Sequence, residues 1–165
     1  MMAIAQVNAM PPDEFMSTFG DVAEHSPWVA EAALRGRPFA SREAMIGAFE
    51  EALKAAARSE QLALIRAHPD LATRARLTAD SSREQAGAGL DTLTPEEFQR
   101  FTTLNEAYKS RFGFPFIFAV KGATKHQILQ SFTERVNNSP DDEFAMALRQ
   151  IARIFRFRIE DRVAP

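Results

Sequence analysis

The chain has 165 residues, 45% of them hydrophobic and 25% charged, enough for a globular domain with a substantial core. A formal net charge of −2 gives no overall attraction to nucleic acid or to an anionic membrane, and no stretch approaches the roughly 20 apolar residues of a membrane span. The absence of cysteine excludes disulfides, thiolate metal sites and cysteine nucleophiles.

At the N-terminus, "MMAIAQVNAM" has neither a basic region nor a long apolar run, so no signal peptide is expected and a cytoplasmic location is. Pro12 and Asp13 then open a segment with Phe15, Met16 and Phe19 on one side. Ser26 before Pro27 reads as an N-cap and an N1 proline leading into "WVAEAAL", which Gly36 and Pro38 end. Ser41 caps the next segment, where Met45, Phe49, Leu53 and Ala56 recur at helical intervals. A break near Arg58 and Ser59 leads to Leu62, Ile65 and the stretch "RAHPDLA", where Pro69 biases His68 out of the helical region.

In "SSREQAGAGL", Ser81 and Glu84 have the spacing of a capping box, with Gly87 and Gly89 closing a short helix. Thr94, Pro95 and Glu97 start a longer helix, with Phe98, Phe101, Asn105, Tyr108 and Phe112 along one face and Gly113 and Pro115 as its stop. The apolar "FGFPFIFAV" reads as extended, with no second strand to pair with. Thr124 and Gln127 form another capping box, before Ile128, Leu129, Phe132 and Val136. Ser139 and Pro140 begin the last and longest helix, to about Arg162. The pattern predicts an all-α, single-domain bundle of about seven to nine helices over residues 1–165.

The chemistry is narrowed mainly by what is missing. His25, His68 and His126 lie far apart and match no metal-binding spacing, so no metal is expected. No glycine-rich phosphate loop or nucleophile elbow occurs, which leaves nucleotide cofactors and a serine hydrolase without support. What remains is a cofactor-free site or none. A histidine such as His68 suits acid/base work, but an imidazole at a helix end also suits the last carbonyls. Glu84 is explained by its capping box, yet it sits where a polar ligand could meet a helix N-terminus.

The last helix adds one further candidate. At about 100° per residue, Phe144, Leu148, Ile151, Phe155 and Ile159 define its buried face; Arg158 falls about 20° from Ile151, Arg156 about 140° and Arg149 about 160°. A buried guanidinium needs anionic or carbonyl partners. For Arg158 these are either a structural carboxylate, such as Glu84 or Asp70, or a ligand's carboxylate or urea-like carbonyl.

Taken in order, "HPDLA", "SSREQAGAGL", "LNEAYKSRFGFPFIFAV" and "ALRQIARIFRFRIED" resemble the OHCU decarboxylase family, over nearly the whole chain. OHCU is 2-oxo-4-hydroxy-4-carboxy-5-ureidoimidazoline, formed from urate through 5-hydroxyisourate. The resemblance implies an all-α lyase of purine catabolism that needs no cofactor, is a homodimer, and converts OHCU to (S)-allantoin and CO2. It implies His68 and Glu84 as catalytic residues, with Pro69, Ser81 and Gln85 touching the substrate. Phe114, Phe116 and Ile117 would bind the heterocycle, partly through backbone groups, and Arg158 rather than Arg156 would anchor a carbonyl. The "DLA" after "HP" departs from the more familiar "xLG". The alternatives are a related cofactor-free lyase or hydrolase acting on another ureido compound, and a helical interaction module without activity.

Overall fold

A computed structural model describes residues 1–73 and 77–165. Among these residues it contains nine helices and no strand. They are α1 (Ile4–Ala9), α2 (Pro12–Phe19), α3 (Trp28–Leu34), α4 (Arg42–Ala55), α5 (Arg58–Ala67), α6 (Ala79–Gly87), α7 (Pro95–Phe112), α8 (Lys125–Arg135) and α9 (Pro140–Glu160). The all-α expectation holds. No described helix is long and apolar enough to cross a membrane.

The contacts group the chain into two compact units. One comprises Met1–Ala67 with Ile151–Pro165, and the other His68–Gln150. In the first unit the apolar faces of α2 and α4 and the end of α9 supply an aromatic cluster. Phe15 lies 5.1 Å from Phe19 and 6.5 Å from both Phe39 and Phe49, and Phe49 meets Phe155 edge-on at 6.2 Å. Gly20 follows α2 because a Cβ there would lie 2.5 Å from the Met16 carbonyl oxygen.

Helix α1 is the element that periodicity misses. Its six residues bury only Val7, too little for a pattern. Non-local bonds hold it instead. The Asn8 side chain donates to the Phe39 carbonyl at 2.8 Å and accepts the Phe39 N–H at 2.7 Å, and Met2 pairs with Val163 in an isolated parallel bridge. Ser26 also departs from expectation. Its hydroxyl donates to the Glu24 carbonyl at 2.8 Å and does not cap α3.

The second unit is organised around α7. Thr94 and Glu97 form the expected capping box, and Gly113 ends the helix with φ +77°, a conformation glycine adopts without a Cβ penalty. Tyr108 projects from α7 into four rings. Phe112 lies at 4.5 Å, Phe116 at 5.4 Å, Phe132 at 5.9 Å and Phe114 at 6.0 Å. Its hydroxyl donates to Glu143 at 2.6 Å.

Helix α6 corrects the predicted capping box. The cap is Thr78, whose hydroxyl accepts the Ser81 N–H at 3.3 Å, so Ser81 and Glu84 lie inside the helix. The Ser–x–x–Glu spacing that marks a box also places two residues on one face of a helix already begun.

Tyr108 is the only tyrosine, and burial together with the adjacent Glu143 carboxylate pushes its phenol pKa up from the ordinary value of 10.0. The folded state therefore favours the neutral phenol. The stability this confers is complete below pH 10 and declines above it, as the unfolded chain ionises first. Ultraviolet titration of the native protein should show no phenolate until alkali unfolds it, with absorbance and helical circular dichroism changing together.

Candidate active site

Helix α5 stops at Ala67, and His68 and Pro69 follow directly, as the proline's clash with a preceding helical residue requires. His68 is 8% exposed, so the imidazole is carried into the interior. The three residues after Pro69 are clamped from two helices. From α7, Lys109 pairs with the Asp70 carboxylate at 2.7 Å and Asn105 donates to the Leu71 carbonyl at 2.9 Å. From α6, the Gln85 side chain accepts the Ala72 N–H at 3.0 Å and donates, at a longer 3.5 Å, to the Asp70 carbonyl.

These bonds set the geometry of the site in the second unit. Ser81, Glu84 and Gln85 stand at i, i+3 and i+4 and share one face of α6. Gln85 fastens that face to the loop that begins at His68. Ser81 and Gln85 are buried, and Glu84 is half-buried. With Thr78 as the cap, Glu84 is not a capping residue. Gln85 has a bracing task the sequence did not reveal, because its amide is engaged by loop backbone. A cavity of about 200 Å³ adjoins this loop, lined in part by Asp70, Ala72, Asn105 and Lys109, but neither His68 nor Glu84 lines it.

The stretch after α7 is extended and buried at Phe114, Pro115, Phe116 and Ile117. No strand lies beside it among the described residues, so side chains satisfy its backbone. Arg135 donates to the Ile117 carbonyl at 2.7 Å, and Gln150 accepts the Ala119 N–H at 2.9 Å. Arg135, Glu143 and Gln150, which hold this stretch, and Asn105, which holds the loop after Pro69, are all buried polar residues. Of these, only Asn105 stood out in the sequence, as a polar residue on the apolar face of α7.

In the first unit, Arg158 is 3% exposed, as its helical angle predicted. The guanidinium donates to Glu24 at 2.9 Å and to the Val22 carbonyl at 3.1 Å, and Glu24 is itself buried. Arg156 is a surface residue gripping both oxygens of Glu43, at 2.7 and 3.0 Å, and it holds the Glu43 carboxyl below the ordinary carboxylate range. No cluster of three or more His, Cys, Asp or Glu fit to hold a metal occurs among the described residues.

The family model for OHCU decarboxylase matches residues 8–160. The chain belongs to the OHCU decarboxylase family. It is 42% identical over 161 residues to a 2-oxo-4-hydroxy-4-carboxy-5-ureidoimidazoline decarboxylase of Haloferax volcanii, covering 98% of this chain and 96% of that one. It is 43% identical to part of a uric acid degradation bifunctional protein of Bacillus subtilis, covering 98% of this chain and 33% of the longer protein. A crystal structure of (S)-allantoin synthase superposes with a TM-score of 0.81 at 31% identity, over 98% of this chain. The present chain spans 54% of that one.

Within this OHCU decarboxylase family member, the departure from "xLG" falls on a residue of unusual backbone. Ala72 has φ +57°, in the left-handed region where a Cβ costs roughly 1–2 kcal/mol. The bonds from Gln85 and Asn105 hold the loop there. Ala72→Gly should therefore raise the melting temperature by a few degrees. The gain is about 1 kcal/mol or less, because glycine also has more freedom to lose on folding. Thermal denaturation of the two proteins checks it.

Proposed function

We propose that this chain decarboxylates OHCU to (S)-allantoin and CO2 in urate breakdown, with His68 and Glu84 as its catalytic pair and no cofactor. One observation carries the reading. The family match runs from residue 8 to 160, and within it the helix bearing Glu84 is hydrogen-bonded to the loop that begins at His68.

The substrate supplies its own electron sink. The carboxylate leaves a carbon next to a C=N bond, so the electron pair of the breaking C–C bond moves into that bond and gives an enamine. A proton then adds to the carbon bearing the ureido group, and the 4-hydroxyl loses its proton to become the ring carbonyl of allantoin. His68 takes the hydroxyl proton and serves as proton carrier. Glu84 orients the imidazole or holds the ring and ureido N–H groups. Delivery to one face of the enamine accounts for a single enantiomer.

Pro69, Ser81, Gln85, Phe114, Phe116 and Ile117 complete the substrate contacts in this reading. Gln85 contributes chiefly by bracing the loop. Arg158, in preference to Arg156, is the carbonyl anchor in this reading on the strength of the family resemblance, although its guanidinium also holds Glu24. A homodimer is part of the proposal on the strength of the family resemblance, and a cytoplasmic location on the strength of the sequence reading.

A coupled assay tests it, with urate oxidase and 5-hydroxyisourate hydrolase supplying OHCU and circular dichroism following (S)-allantoin. His68→Ala should fold normally and lose about 10²- to 10⁴-fold in kcat/KM. Arg158→Gln should also lose activity, whereas Arg156→Gln should retain it. Near-parental turnover by His68→Ala sinks the assignment. Racemic allantoin at the uncatalysed rate from the unmodified chain sinks the function itself, and consumption of a different ureide would replace it.

A further inference from the structure

One buried ion pair lies outside the proposed chemistry. Arg135, near the end of α8, and Glu143, in the first turn of α9, have side chains 7% and 0% exposed. The Arg135 Nε donates to Glu143 at 2.8 Å. Glu143 also accepts from the Tyr108 hydroxyl at 2.6 Å and from the Asn138 amide at 3.0 Å. Such a pair is costly to bury, and an apolar pair of similar volume is often at least as stable. Stability alone is a weak reason for its presence.

The fork of Arg135 suggests what it does. Its Nη1 donates to the Ile117 carbonyl at 2.7 Å, and its guanidinium carbon lies 4.3 Å from the centroid of the Phe116 ring. Phe116 is also stacked on Phe132, at 3.9 Å with 8° between the planes. One side chain thus fixes the ring of Phe116 and the carbonyl of Ile117, in a stretch that no neighbouring strand holds. Glu143 fixes the fork in turn, and Tyr108 and Asn138 fix Glu143.

We propose that Arg135, oriented by Glu143, is a positioning residue for the substrate-binding stretch Phe114–Ile117: it sets the pose of the heterocycle without touching it. This rests on the reading that the stretch binds the ring of OHCU.

The test uses the full chain and OHCU generated by the coupling enzymes. Arg135→Lys keeps a cation beside Glu143 but cannot serve Glu143 and the Ile117 carbonyl together, having one compact head in place of a fork. KM should rise about tenfold with kcat within about threefold, because a displaced stretch loses binding shared by substrate and transition state. The enantiomeric excess of allantoin should fall as well, since a loosely held ring is protonated on both faces. An Arg135 that merely supports the fold would lower the melting temperature and leave KM and enantiomeric excess unchanged, and that result overturns the proposal.

A second variant guards against a stranded charge. Arg135→Met with Glu143→Gln removes both ions and keeps an acceptor for Tyr108. It should fold and show the same rise in KM, and a parental KM in this folded double variant overturns the proposal. Phe114→Leu separates the proposal from its foundation by altering the stretch directly. A rise in KM there with none in Arg135→Lys leaves the binding stretch standing and removes Arg135. No rise in either removes the binding stretch itself, and a rise in Arg135→Lys alone shows that Arg135 does not act through it.

Discussion

A carboxylate with no solvent exposure must be supplied with hydrogen bonds from within, and Glu143 imposes that requirement on the second unit. Its donors come from three places in the chain: Tyr108 on α7, Arg135 on α8 and Asn138 just before α9. Two of these donors are also anchors. Tyr108 sits among Phe112, Phe114, Phe116 and Phe132, and Arg135 grips the Ile117 carbonyl. The aromatic packing and the ionic centre are therefore one arrangement, and the extended stretch after α7 takes its shape from it.

The same helix that reaches Glu143 also reaches the histidine loop. Asn105 and Tyr108 stand three residues apart on α7, and Lys109 is four beyond Asn105, so all three share a face. Asn105 and Lys109 hold the backbone and side chain next to His68, while Tyr108 packs against Phe114 and Phe116. A rigid helix thus sets the spacing between His68 and the apolar stretch Phe114–Ile117. Functional groups on loops work well when regular elements fix the loops at both sides.

Local signals in the sequence were legible where one residue decides one bond. Thr94 with Glu97 and Thr124 with Gln127 are boxes in the structure as in the sequence, and Pro69 and Gly113 end helices where they stand. The Ser81–Glu84 spacing misled because Thr78 had already begun the helix, and identical spacing recurs inside any helix. The inward Arg158 was legible from its angle, but Glu24 lies 134 residues away along the chain and carries no local mark. Arg135 stands seven residues after Ile128, as Arg158 does after Ile151, so the same angular reasoning reaches it. The brace formed by Gln85 was not legible, since nothing in a glutamine's neighbours along the chain says which backbone it will meet.

The bridge between Met2 and Val163 has a consequence of another kind. Met2 donates to the Arg162 carbonyl at 3.0 Å and accepts the Ala164 N–H at 2.8 Å, so the two ends of the chain run side by side. A linker of a few residues could join them, and new ends could be opened at a surface turn without crossing the core. A second enzyme fused to either end would leave from the same spot, and the order of two fused catalysts would matter little to this one's fold.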